Sequence, residues 1–224
     1  MAIPSNPKIY HIVHVDRLAS IIADDYLWSD AEMVLKPNNG TMIGMSRIKE
    51  RRLNELNLRS HPDLRIGQCA PFYFCPRSVM LFLIHCRNDE LACKDGQGLI
   101  VHLEADFHAA LDWANQQNRR WAFTVSNAGA YYFEDHSNVE KLGKIDWDAV
   151  QARKWSGTGV QGSVKEGKQA EFLIERGFPW HLFERIGYLN RSISPTCEVL
   201  ASIIDALKGA AHRPVVEKCN DWYY

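Results

Sequence analysis

Glu171 stands among apolar neighbours in Gln169-Ala170-Glu171-Phe172-Leu173-Ile174, directly after a stretch holding Ser156-Gly157-Thr158-Gly159, Gly162 and Gly167. A carboxylate borne on a strand and aimed into a cleft has its position fixed by the sheet, and such a group can stabilise a developing cation or accept a proton. The same spacing suits an edge-strand glutamate facing water. Gln169, two residues earlier, is expected on the same face as Glu171.

Three basic clusters supply the complementary charge. Arg51 and Arg52 follow Arg47 and Lys49 by one turn and precede Arg59 and Arg65. Arginine forks bind pyrophosphate or phosphodiester oxygens bidentately, although a solvated helix paired with Glu50 and Glu55 has the same pattern. Arg119-Arg120-Trp121 and Arg153-Lys154-Trp155 each set cations beside an indole, a combination suited to stacking bases and pairing phosphates of a single strand. Tyr73, between Phe72 and Phe74, points away from both in a strand and offers a flat ring to a planar ligand, or is a half-buried core tyrosine.

Other chemistries lack their signatures. Neither G-x-G-x-x-G nor G-x-x-x-x-G-K-[ST] occurs, nor a G-x-S-x-G elbow. The cysteines at 69, 75, 86, 93, 197 and 219 form no C-x-x-C pair, so reduced thiols and no metal site are expected. The 26 Lys+Arg against 27 Asp+Glu exclude nucleic-acid binding by overall basicity and leave a local basic groove open. The longest apolar run, 78–86, is too short to span a bilayer, and the first residues lack the basic and apolar regions of a secretory signal, so a cytoplasmic protein is expected.

The elements that must position these residues follow from periodicity. Residues 9–15 read as a buried strand, with Asp16 as N-cap of a helix burying Leu18, Ile21 and Ile22. Turn chemistry makes 36–40 a loop, and Ser46 caps a basic helix through Arg52. A short aromatic strand is expected over 71–76, strands over 98–103, 121–125 and 169–174, and helices over 106–117 and 195–207; periodicity leaves 78–86 open. The span 148–168 reads as a long loop, and long loops in compact domains are commonly functional. Helices and strands alternate without a βαβ rhythm, which favours one mixed α+β domain over residues 1–224.

Three segments in order, Ile9-Tyr10-His11-Ile12-Val13-His14-Val15-Asp16-Arg17-Leu18, Pro71-Phe72-Tyr73-Phe74-Cys75-Pro76-Arg77-Ser78-Val79-Met80-Leu81 and Lys168-Gln169-Ala170-Glu171-Phe172-Leu173, resemble the DarT family of DNA ADP-ribosyltransferase toxins across nearly the whole chain. Val79 stands where many members carry a second proline and Cys75 where others have glycine; no catalytic position is lost. The resemblance implies an ADP-ribosyltransferase-like fold, a split antiparallel sheet with helices around a cleft for NAD+. It implies transfer of ADP-ribose from NAD+ to a base of single-stranded DNA, commonly thymine and in some members guanine. It also implies a toxin–antitoxin pair whose partner, DarG, carries a macrodomain that removes the mark.

By position, the resemblance makes Glu171 the catalytic glutamate and 148–168 the substrate-facing loop. The functional arginine falls at Arg51 or Arg52, which alignment does not separate; Arg51 is taken as catalytic and Arg52 as facing NAD+. Tyr10, His11, Ile12 and His14 match the first nicotinamide-side motif, and Tyr73, Arg77 and Met80 the second. Arg119, Trp121, Arg153, Lys154 and Trp155 would track the DNA. Cleaving the nicotinamide–ribose bond builds positive charge that a carboxylate stabilises, and a thymine ring nitrogen must lose a proton to attack, so Glu171 is the expected base and Arg51 the cation favouring the anionic ring. Bases inside a duplex are out of reach of such a cleft. The alternatives are the same chemistry on RNA or protein, and a single-strand binding module without chemistry.

Overall fold

The structure is a computed structural model describing residues 2–36, 40–190 and 196–224, without the side chains of residues 196 and 197; the centre of the expected loop at 36–40 lies outside the described residues. Ten strands are described: β1 (Lys8–His14), β2 (Tyr26–Trp28), β3 (Cys69–Tyr73), β4 (Ile100–Asp106), β5 (Trp121–Thr124), β6 (Asp135–His136), β7 (Glu171–Glu175), β8 (Gly177–Pro179), β9 (Phe183–Tyr188) and β10 (Val215–Lys218). The helices are α1 (Leu18–Ala23), α2 (Asp30–Val34), α3 (Ser46–Asn54), α4 (Val79–His85), α5 (Phe107–Gln116), α6 (Trp147–Gln151), α7 (Gly162–Gly167) and α8 (Thr196–Ala206).

Eight strands form one sheet in the order β10-β9-β4-β1-β3-β7-β5-β6, antiparallel except for the β10–β9 pair; β2 and β8 pair separately. The expected α+β architecture is thus the observed one. β1 runs alongside β4 over seven residue pairs, whereas its pairing with β3 is confined to Tyr10 and Tyr73. Pro71 accounts for the opening: it has no N–H to give a neighbouring strand, and its carbonyl is bonded by the His11 ring at 2.7 Å. The sheet is split at its centre, one strand from Glu171.

Strand alternation builds the core. Ile9, Val13, Phe72, Leu103, Phe123, Phe172 and Ile186 project from one face and pack with α1, α5 and α8 into the main cluster. Two smaller clusters cover parts of the other face. One gathers Leu64, Ile66, Cys69, Ala122 and Leu173; the other gathers Ile12, Leu81, Ile84, Ile100 and Tyr223. A Cβ on Gly187 of β9 would overlap the indole of Trp222, so the chain after β10 lies directly on the sheet there.

Several local expectations are corrected. His14, not Asp16, caps the turn before α1, while Asp16 accepts from the backbone and hydroxyl of Thr41. Ser46 is the first residue of α3 rather than its cap. The run 78–86 is helix α4, because Ser78 caps it by accepting from the Leu81 N–H at 3.1 Å. The supposed loop 148–168 contains most of α6 and all of α7, with α6 capped by Asp146 and packed on α7, leaving a shorter connection over 152–161. The strand expected from Gln169 begins at Glu171. Gln169 still follows the α7 turn and donates to the Lys165 carbonyl, so no Gln-x-Glu pair forms.

Candidate active site

Antiparallel register places Glu104 of β4, Tyr10 of β1, Tyr73 of β3 and Glu171 of β7 in one row across the split. Directly opposed residues share a face, so all four side chains leave the same side of the sheet. Glu171 heads β7, and its strand amide donates to the Thr124 hydroxyl at 3.1 Å. Its carboxylate is buried and held from two directions: Arg52 Nη2 lies 2.9 Å from Oε2, and the Ala128 N–H donates to Oε1 at 3.3 Å. The solvent-facing edge position is therefore excluded by the structure.

Arg52 reaches the carboxylate from α3, which lies over this face of the sheet. Burial works against its charge, yet Glu171 beside it outweighs that and holds the guanidinium above its ordinary pKa. Arg51 points elsewhere. It donates to the Gly129 carbonyl and lies 4.7 Å from the Tyr131 ring centre, in the loop between β5 and β6. The two arginines are consecutive on a helix and so diverge by about 100°. The structure puts Arg52, not Arg51, beside Glu171.

At the far end of the row, Glu104 is buried and accepts from the Tyr10 hydroxyl at 3.0 Å, with Arg185 Nε 2.9 Å from its second oxygen. Burial raises the Glu104 pKa against the pull of Arg185. Burial likewise raises the Tyr10 and Tyr73 phenols, helped by Glu104 and Glu171 respectively. Both phenols stay protonated hydrogen-bond donors at neutral pH.

A cleft of about 330 Å³ opens beside Tyr10, the one residue of the row that lines it, and Arg77, Arg153, Lys8, Lys168 and Trp222 are among its other lining residues. Arg77 stacks 4.3 Å from the Tyr224 ring centre. Its Nε and the Nε2 of His14 are buried nitrogens with no hydrogen-bond partner within the protein. His11 is held neutral at physiological pH, since burial lowers its pKa to about 4. Ile12 is core, and Met80 is half-buried against the same small cluster. Among the described residues no group of His, Cys, Asp and Glu could hold a metal, and no helix is long and apolar enough to cross a membrane.

The expected DNA-tracking residues divide. Arg153 is exposed at the mouth of the cleft, and Lys154 beside it in the chain is exposed as well. Trp155 is a correction: it is buried, donates to the Tyr224 hydroxyl at 2.9 Å and meets Phe82 edge-on. Trp121 faces the main core, three residues along β7 from Glu171 and on the opposite face, and bonds Asn115. Arg119 is half-buried beside it, and Arg120 is paired with Glu175 and Asp63, so this cluster does not line the cleft.

Residue-type reasoning missed Glu104, although a carboxylate inside the largely apolar run 100–105 carries the same signal as Glu171. It also missed Thr124, Ala128 and Lys168. Lys168 is buried in the cleft wall, bonded to the Val150 carbonyl at 2.9 Å, and its pKa is lowered by desolvation.

The split antiparallel sheet and the buried, arginine-paired glutamate next to the split match the ADP-ribosyltransferase-like architecture that the resemblance implied. Comparison with known proteins narrows the class. Residues 10–224 match the family described as "DarT: ssDNA thymidine ADP-ribosyltransferase". A DNA ADP-ribosyl transferase of Thermus sp. (strain 2.9) is 31% identical over 221 residues, covering 99% of this chain and 98% of the relative. Thermus sp. 2.9 DarT in complex with ADP-ribosylated ssDNA superposes with a TM-score of 0.83 at 30% identity, covering 100% of this chain and 99% of that one. The same protein in complex with NAD+ gives 0.80 at 28% identity, with both chains fully covered. The chain belongs to the DarT family, and DNA ADP-ribosyltransferase is its class of enzyme.

Proposed function

We propose that this protein is one ADP-ribosyltransferase domain that transfers ADP-ribose from NAD+ to a thymine base of single-stranded DNA. The observation that carries this reading is the Arg52–Glu171 pair, buried at the head of a central strand beside the split in the sheet. As the bond between the ribose anomeric carbon and nicotinamide breaks, positive charge grows on the ribose. A carboxylate already fixed by Arg52 and the Ala128 amide meets that charge without reorganising. Nicotinamide leaves, the anomeric carbon bonds to a ring nitrogen of the base, and the nitrogen's proton passes to Glu171 or water. Arg52 holds the carboxylate, and Arg51 belongs to the acceptor side.

Tyr10, His11, Ile12, His14, Tyr73, Arg77 and Met80 form the NAD+ side. The unpartnered buried nitrogens of His14 and Arg77 fit a dinucleotide, whose hydroxyl and phosphate oxygens would satisfy them. Arg153 and Lys154 serve the DNA phosphates. The reading extends to a cytoplasmic toxin counteracted by a macrodomain antitoxin of the DarG type.

The test is intact-mass analysis of short single-stranded oligomers, each enriched in one base, after incubation with the protein and NAD+. The expected result is one added ADP-ribose on the thymine-rich oligomer. No adduct on any DNA while NAD+ is consumed would overturn the acceptor.

A further inference from the structure

The loop between β5 and β6 is anchored at its base and open at its tip. At the base, the Ala128 amide donates to Glu171 and the Gly129 carbonyl accepts from Arg51. A Cβ on Gly129 would come within 2.9 Å of Ile48, so the loop also packs closely on α3. At the tip stand Tyr131 and Tyr132, 62% and 85% exposed, the latter among the most exposed large side chains of the described protein. Rings so exposed contribute little to the core, and two side by side next to a catalytic carboxylate call for a partner.

Their setting indicates which partner. The Arg51 guanidinium backs the Tyr131 ring at 4.7 Å, and Glu55 accepts from its hydroxyl at 3.2 Å, fixing the ring plane while its outer side stays open. Arg47, exposed one turn before Arg51 on the same helix face, adds a second cation. An aromatic ring with a cation behind it suits a nucleobase, and the neighbouring cation suits its phosphate. Tyr131 lies three residues from Ala128, so its Cα is within about 11 Å of the residue that touches Glu171. That reach spans to the next nucleotide, not to a remote one.

We propose that Tyr131 and Tyr132 form a stacking platform for the base adjoining the one that is modified, backed by Arg51 and Arg47. This subsite rests on the proposed DNA reaction and adds to it the element that seats the flanking nucleotide. The platform reads planarity and not hydrogen-bond pattern, so it favours an unpaired neighbour of any sequence.

The test is fluorescence anisotropy of a labelled single-stranded oligomer with the full-length protein, in the absence of NAD+ so that nothing turns over. Tyr131→Ala/Tyr132→Ala, checked for an unchanged melting temperature, is expected to weaken binding by about tenfold or more, and Tyr132→Trp to preserve it. Replacing the bases that flank the target by abasic sites should weaken wild-type binding similarly and leave the double variant unaffected, since the same contact cannot be lost twice. Unchanged affinity in the double variant, or losses from protein and DNA changes that simply add, would overturn the platform. Wild-type protein that binds through these rings yet modifies no DNA would sink the transfer reading alone.

Discussion

Arg52 and Glu171, 119 residues apart in the chain, meet at 2.9 Å inside the protein, and the pair is more buried at the carboxylate than at the guanidinium. The ion pair thus joins α3 to the head of β7 and presets the orientation of the acid. Its neighbour Arg51 makes no contact with that carboxylate in the structure, being committed to Gly129 and Tyr131.

Separate substitutions should therefore have unequal effects. Arg52→Ala strands a buried carboxylate and is expected to cost about 3–5 kcal/mol of stability. Transfer should fall on the order of a hundredfold or more. Arg51→Ala should lose about 1 kcal/mol and act mainly on the KM for DNA. Chemical denaturation paired with steady-state kinetics on both substrates checks this, and equal mild losses would remove Arg52 from the site.

Glu171→Gln keeps the shape and the bond from Ala128 but removes the charge. Transfer should drop on the order of a thousandfold while NAD+ affinity stays within a few-fold, because the carboxylate acts on charge that exists only in the transition state. Calorimetric titration with NAD+ beside a single-turnover assay separates the two. Turnover close to wild type would remove Glu171 from the chemistry.

Acid should weaken the fold through His102. Its Nε2 donates to the Pro76 carbonyl at 2.9 Å, its Nδ1 has no partner, and burial lowers its pKa to about 4. The unfolded chain holds the extra proton between that value and the ordinary ~6.5, so the contribution is full above about pH 6.5 and is lost as pH falls towards 4. The full span corresponds to on the order of 3 kcal/mol. His102→Gln keeps a donor for Pro76 without titrating, and melting curves from pH 7 to 4 should show a shallower fall. His11, lowered in the same direction, supplies part of the slope that remains.

The three residues 153–155 should separate by salt. Arg153→Ala and Lys154→Ala are expected each to reduce the slope of log affinity for DNA against log salt by about 1, as lost phosphate contacts do. Trp155→Ala should leave that slope intact and instead cost about 3–5 kcal/mol of stability, since its indole is buried against Phe82 and Tyr224. A salt slope that responds to Trp155 would return it to the DNA surface.

The sequence showed strands and helices where periodicity was strong, as in β1, α5 and β5, and it marked Glu171 by the contrast between one carboxylate and its apolar neighbours. It did not show which arginine meets that carboxylate, because the two differ by one helical step and only the docking of α3 on the sheet decides between them. The connection 148–168 read as featureless because α6 and α7 are too short to display a period, and are settled by the Asp146 cap and mutual packing. Trp155 and Trp121 illustrate a further limit: an indole beside arginines looks alike in sequence whether it faces DNA or the core. The row Glu104–Tyr10–Tyr73–Glu171 depends on register between four strands, which no local pattern encodes.

The contact between Gly187 and Trp222 has an evolutionary consequence. Any side chain at 187 collides with the indole, and the Cys219 sulfur lies only 3.4 Å away, so the site has no slack on that side. A larger residue at 187 requires a smaller one at 222, so the two positions are expected to change together. Descendants of this chain should keep the pair together or exchange it as a pair, whereas exposed residues nearby, such as Val215, are free to wander singly.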